Sequence, residues 1–374
     1  MVNSIKSFLI VSSNPYIPQL MGGSERSSQA IATHLCAQGD SVSVLCGLNP
    51  NDTVGFWNRI RRRIFGIKFP VDRVENVKVY RAWAANGSIA HHIEEFSRHK
   101  SFDLVLVQAG FPFSVSREFN RLGVPSIVFL RDVEFHDSDG LPASGGLIRY
   151  IANSEFTAKR FFSQFGITVD AVIPPSVSSE KYLVTRSPKY ALMVNPVEKK
   201  GLELVIELAR RRSDINFLLQ ESWILSTEDK ELLVAQIATF PNVTFVARKA
   251  DMRSTYTHAK VLLVPSKLEE AWGRVVSEAH VSGIPVLASD IGGLPESVGP
   301  GGILLESGNV DAWERALAQV WDNPAYETAL SQKAQQYALR PEIQPQFLFT
   351  AIDEQIKKAL SDFELKDISP LLEI

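Results

Sequence analysis

Val261-Leu262-Leu263-Val264-Pro265-Ser266-Lys267-Leu268-Glu269-Glu270-Ala271-Trp272-Gly273-Arg274-Val275-Val276-Ser277-Glu278-Ala279-His280 decides the fold. A continuously apolar run ends at a proline, a polar loop follows, and helix-period residues begin at about Gly273. A second apolar run, residues 285–289, follows Gly283. Strand, loop, helix and strand in that order make a parallel pair joined by a helical crossover, and strands apolar throughout belong in a sheet covered on both faces. The same alternation extends outward along the chain. Strands are expected at 190–194, 215–220 and 243–246, with helices at 202–212 and 227–240. Earlier still, strands at 8–13, 41–47, 77–81, 103–108, 126–130 and 171–174 accompany helices at 24–38 and 155–165. Between the two series, the proline pair Pro174-Pro175 and the serines after it read as a hinge over about 175–189. The fold class is therefore α/β, two Rossmann-like doubly wound domains at 1–180 and 181–351. Ligands of such sheets bind at the carboxyl ends of the strands, so the cleft between the domains is the expected site.

Composition narrows the function. The 374 residues are 45% apolar and 22% charged, which is globular rather than disordered. A net charge of -3 argues against a general nucleic-acid binder. Cys36 and Cys46 are too few to staple a scaffold or complete a four-cysteine zinc site. The first apolar run, Phe8 to Val11, is too short for a leader, and nothing later approaches about 18 apolar residues, so a cytoplasmic enzyme is expected. Residues 56–68 mix Phe56, Trp57, Ile60, Ile64, Phe65 and Ile67 with Arg59, Arg61, Arg62, Arg63 and Lys68 and contain no acid. Such a stretch suits an anionic membrane surface, and equally a solvated helix or a positive rim for an anionic substrate.

At the opening of the expected helix, the N–H groups of Gly273, Arg274 and Val275 are available to an anion, favoured there by the helix dipole. Gly273 has no Cβ to keep a phosphate away. Glu270 and Glu278 can each accept two hydrogen bonds from a vicinal diol, or serve as a cap acid and a salt-bridge partner. At the other end of the chain, Met21-Gly22-Gly23-Ser24 combines a Gly-Gly turn with an expected Ser N-cap and forms either an anion nest or a plain turn.

Glu270, Trp272-Gly273, Glu278, Gly283-Ile284-Pro285-Val286 and Gly292-Gly293-Leu294-Pro295-Glu296 together resemble the donor site of retaining glycosyltransferases of family 4, which have the two-domain GT-B fold. The resemblance is dense from 190 to 300. It implies that Glu270 holds donor-sugar hydroxyls and Glu278 the ribose, and that Gly22 and Gly23 reach the diphosphate. It also implies that a C-terminal helix, about 352–374, packs back on the first domain. The family presents an Arg and a Lys on the diphosphate; here Asn195 stands in the place of the Arg, Lys200 fits the Lys, and Arg274 is a substitute cation. Arg248 is the candidate near the base or phosphates. On the acceptor side, Arg131 stands where a His is usual, with His136 five residues later and Asp132 and Glu134 between. The implied reaction is retaining hexosyl transfer from a nucleotide-diphosphate sugar, UDP before GDP, to a saccharide or lipid-linked acceptor. Neither a metal nor a cofactor is implied. A nucleotide-sugar epimerase or hydrolase, or an inactive partner subunit, is the alternative.

Overall fold

The computed structural model describes residues 5–368, apart from 85–86, 99, 144–145 and 250. The chain divides into two units, Met1–Pro174 with Leu348–Ile374, and Pro175–Phe347.

The first unit is built on β1 (Ser7–Pro15), β2 (Ser41–Gly47), β3 (Val71–Val74), β4 (Val77–Ala82), β5 (Leu104–Val107), β6 (Ser126–Leu130), β7 (Ile148–Ala152) and β8 (Ala171–Val172). They lie in the order β3-β4-β2-β1-β5-β6-β7-β8, parallel except for the β3–β4 pair. β1, β5 and β6 are buried along most or all of their length because helices cover both faces. The antiparallel edge strand β3 was not anticipated. Its Val-Asp-Arg-Val sequence carries only two apolar residues, and none of the four is buried. The helix Pro112–Arg121 and strand β7 were also missed.

The second unit contains β9 (Tyr190–Val194), β10 (Phe217–Gln220), β11 (Val243–Val246), β12 (Ala259–Val264), β13 (Val286–Ser289) and β14 (Gly302–Leu305), all parallel, in the order β11-β10-β9-β12-β13-β14. The chain runs outward from β9 to β11, returns, and runs outward again from β12. The carboxyl ends of β9 and β12 therefore flank a topological switch point, where crevices form in open sheets. β14 lies where only helices were expected.

The two units meet in sequence at the start of the expected hinge. The division falls at Pro174/Pro175, and the following residues belong to the second unit rather than to a free connection. Val177 and Tyr182 are buried in that unit's core beside Leu262 and Val276, because their apolar side chains outweigh the surrounding prolines and serines. Arg186 is held by the Gly283 carbonyl at 2.8 Å and Glu327 at 2.7 Å.

The last described helix, Pro345–Ile368, begins in the second unit and continues in the first. There the ring of Phe349 stacks on His34 at 4.3 Å, Asp353 meets His34 Nε2 at 3.0 Å, and Leu348, Ile352, Ile356 and Ala359 are buried. Of the expected C-terminal helix, residues 369–374 lie outside the described residues. Among those described, no helix is long and apolar enough to cross a membrane.

Candidate functional site

In the second unit, Lys200 follows β9 and Glu270 follows β12, so the switch point brings them together: Lys200 Nζ lies 2.8 Å from Glu270 Oε1. Both side chains are mostly buried. Ser266 Oγ donates to the same carboxylate oxygen at 2.5 Å. Glycines enforce this closeness. Gly201, at φ 83°, has no room for a Cβ, which would fall 2.0 Å from the Pro265 carbonyl oxygen. A Cβ on Gly292 would fall 2.6 Å from the Glu270 nitrogen, and the Gly293 N–H donates to the Glu270 carbonyl at 2.6 Å. The Gly-Gly loop thus clasps the backbone that carries Glu270.

The helix Arg274–Val281 opens beside them; the Val276 N–H donates back to the Gly273 carbonyl at 3.0 Å, and the N–H groups of Arg274 and Val275 have no carbonyl of the helix ahead of them to bond. Gly273 adopts φ 85°, and a Cβ there would strike Leu294 Cδ2 at 2.5 Å. Its need for glycine comes from backbone conformation and packing, a stronger constraint than phosphate access. Val275 is packed against the core. Glu278 is already engaged: Arg274 Nε donates to Oε1 at 3.1 Å and the Tyr256 hydroxyl to Oε2 at 2.9 Å. Burial and the Glu278 charge push the Tyr256 phenol well above its usual range. Burial works against the Arg274 charge, and Glu278 outweighs it, raising the guanidinium's pKa. Arg274 Nη1 is buried without a hydrogen-bond partner among the described residues.

Three of the candidate residues have further partners here. Asn195, at φ 61°, directs Oδ1 to the N–H groups of Ser222 at 3.2 Å and Trp223 at 2.7 Å, so it shapes the loop after β10. Trp272 is turned inward, 5% exposed, its Nε1 donating to Ser277 Oγ at 3.1 Å under the Arg340 guanidinium. Arg248 lies at the end of β11 with its N–H on Glu221 Oε2 at 2.9 Å. Glu221 and Trp223 were not singled out from the sequence, yet the Trp223 ring lies 5.0 Å from Lys200 Nζ and 5.3 Å from Lys199 Nζ. Burial opposes the Glu221 charge, but the Leu225 and Arg248 amides and the Lys230 ammonium lower its pKa on balance.

In the first unit, Arg131, Asp132, Glu134 and His136 line one pocket of about 510 Å³, open to solvent, at the carboxyl ends of β5 and β6. Its other walls are aromatic: Phe111, Phe129, Phe135, Phe161 and Phe165. The His136 ring stacks on Phe111 at 5.0 Å, and Phe111 itself sits at φ 54°, a conformation rare for a bulky residue. Asp139 fixes the neighbouring turn, accepting from the N–H groups of Phe113 at 3.0 Å and Ser114 at 2.7 Å. Arg131 lies over the Phe129 ring at 3.7 Å and donates to the Ser24 carbonyl at 3.0 Å. The helix Gly23–Ala37 is capped by Gly22, not by Ser24 as expected. The Gly22 N–H is taken by Glu25 Oε2 at 3.0 Å, and a Cβ on Gly22 would meet that oxygen at 2.6 Å. Burial raises the Glu25 pKa. The glycine turn is therefore partly filled by a carboxylate of its own chain.

Two Rossmann-like units, each with its polar residues gathered where the strands end, define a GT-B protein. A glycosyltransferase from Rickettsia africae has the same fold, at TM-score 0.73 and 14% identity over 95% of this chain and 99% of that one. Anabaena HepE, solved with UDP and glucose, matches at TM-score 0.72 and 18% identity over 94% of this chain and all of its own. Residues 177–337 match the family described as glycosyl transferases group 1. The chain thus has the GT-B fold, and its second unit is similar to the glycosyl transferases group 1 family. The D-inositol 3-phosphate glycosyltransferase of Corynebacterium kroppenstedtii is 33% identical over 114 residues, 29% of this chain and 25% of that protein. The GDP-mannose-dependent monoacylated alpha-(1-6)-phosphatidylinositol monomannoside mannosyltransferase of Corynebacterium glutamicum is 25% identical over 64% of this chain and 73% of its own length. The matches span about a quarter of the length of the first curated relatives.

Proposed function

We propose that the protein is a retaining glycosyltransferase that moves a hexose from a nucleotide-diphosphate sugar to a saccharide or lipid-linked acceptor, with no resident metal. The observation that carries this reading is the Lys200–Glu270 pair at the switch point, beside the opening of the helix Arg274–Val281. An ammonium and a first turn of N–H groups stabilise the charge that develops on a departing diphosphate. Glu270 is placed to exchange its bond to Lys200 for donor-sugar hydroxyls as the phosphates claim the ammonium. Glu278 takes the ribose hydroxyls while keeping Arg274. The acceptor hydroxyl adds on the face the diphosphate leaves and passes its proton to that phosphate. Arg131, Asp132 and His136 orient the acceptor. UDP-sugar is the first choice of donor, supported by the UDP and glucose held by HepE; GDP-sugar is the second, supported by the mannosyltransferase relative.

A panel of nucleotide-diphosphate sugars, screened for thermal stabilisation and then for transfer, tests this reading. At least one is expected to raise the melting temperature, and Glu270→Gln and Lys200→Met to lower turnover on the order of a hundredfold or more. Stabilisation by none of them would overturn the reading. Donor conversion or hydrolysis that no acceptor accelerates would favour an epimerase or hydrolase instead.

A further inference from the structure

The helix Thr53–Phe65 has its amphipathic character turned inside out. A surface helix ordinarily buries its apolar stripe. Here the buried residues are Gly55 and Asn58. Phe56, Trp57, Ile60 and Ile64 follow an i, i+1, i+4, i+8 spacing and share one face, opposite that buried pair. Phe56 is 51% exposed, Trp57 61% and Ile64 67%. Beyond them, Phe65 and Ile67 are exposed as well, past the left-handed cap at Gly66.

Cations flank this face on both sides, Arg59 and Arg63 on one and Arg61 on the other, with Lys68 past the cap; Arg62 falls on the opposite side, between Gly55 and Asn58. The acids within reach offset only Arg61 and Lys68 of these cations. Asp72 pairs with Arg61 and with buried Arg81, Glu95 pairs with Lys68, and Asp52 caps the helix through the Gly55 N–H at 2.7 Å. Arg59, Arg62 and Arg63 make no ion pair among the described residues, and the Arg62 guanidinium lies 5.9 Å from the half-exposed Trp83 ring. On a chain of net charge -3, this is a localised positive field around an apolar ridge.

We propose that the outward face of the helix Thr53–Phe65 docks on an anionic lipid bilayer, its aromatic and aliphatic side chains entering the headgroup boundary and its arginines meeting lipid phosphates. A soluble polyanion would use the arginines and leave the apolar ridge in water; a neutral protein groove would use the ridge and leave the arginines unpaired. A bilayer of anionic lipid satisfies both at once. The proposal rests on this surface alone and stands whether or not the second unit binds a nucleotide sugar.

The test is flotation of the full chain with vesicles of phosphatidylcholine alone or mixed with phosphatidylglycerol. The parent protein is expected to float with the mixed vesicles and to be released by raised salt. Combined Arg59→Ser and Arg63→Ser is expected to weaken vesicle binding about 25-fold, at about fivefold per cation, whereas Arg62→Ser, on the other side of the helix, is expected to leave it within about twofold. Combined Phe56→Ser and Trp57→Ser is expected to weaken it too, with the thermal unfolding transition unchanged because both side chains are exposed. A parent protein that stays out of the mixed vesicles would overturn the proposal. So would binding to phosphatidylcholine alone that the arginine changes leave intact, or retention on heparin without flotation.

Discussion

The crevice of the second unit and the pocket of the first are built on opposite principles. In the second, charged groups are buried and already paired, Lys200 with Glu270 and Arg274 with Glu278 and through it Tyr256. In the first, four polar side chains stand around an aromatic bowl with Asp132, Glu134 and His136 exposed. Low-dielectric ion pairs are expensive to break and hold a site in one geometry, whereas exposed charges on an aromatic floor adapt to a ligand at little structural cost. Under the proposed function, the second unit would meet the invariant nucleotide-sugar partner and the first the variable acceptor.

That contrast is open to measurement, beginning where the effect is greatest. Glu278→Ala strands the Arg274 guanidinium in a buried position. It is expected to cost about 3 kcal/mol in urea unfolding, within the range for breaking a buried pair. A loss below about 1 kcal/mol would mean that the pair is effectively in water.

The same helix supplies a second lever in His280, which is fully buried. Burial, with the Arg340 charge adding to it, lowers its pKa from 6.5 to about 3. Between those values the unfolded chain binds a proton that the folded one refuses, so stability falls as pH is lowered through the window. By about pH 5 the loss is expected to reach about 2 kcal/mol. His280→Gln should flatten that slope in unfolding curves collected at several pH values.

The smallest structural effect belongs to the first unit. Asp132→Asn and His136→Ala are expected to change stability by less than about 0.5 kcal/mol, as is usual at exposed positions. They should instead raise the KM for acceptor without altering nucleotide affinity. A large stability loss from either would erase the distinction between the two regions.

What could be read from the chain follows the same division. Glu270, Gly273 and Glu278 lie within a few residues of one another, so a strand, a loop and a helix opening placed them before any long-range contact was known. The Gly-Gly loop was legible as a motif, but its reason was not, because the Glu270 backbone it clasps meets it only across the rim of the sheet. Asn195 is clearer still. Its partners, Ser222 and Trp223, come from the end of the neighbouring strand, and nothing local to Asn195 specifies them. Trp272 faced inward because its ring packs under Arg340, far along the chain. In the first unit the charged cluster from Arg131 to His136 was legible, while the pocket it lines depends on Phe111 adopting φ 54°, which no apolar pattern encodes. The edge strands β3 and β14 were lost for a simpler reason, since neither is buried along its length.

The helix Pro345–Ile368 sets the order in which the molecule can be finished. Leu348, Ile352, Ile356 and Ala359 complete a unit whose other residues leave the ribosome first, with the whole of Pro175–Phe347 made in between. The half that is translated earliest must therefore wait, its His34 side uncovered, while the later half has every strand it needs. Closure of so wide a loop in sequence is slow, which makes that waiting surface the place where a chaperone would find a purchase.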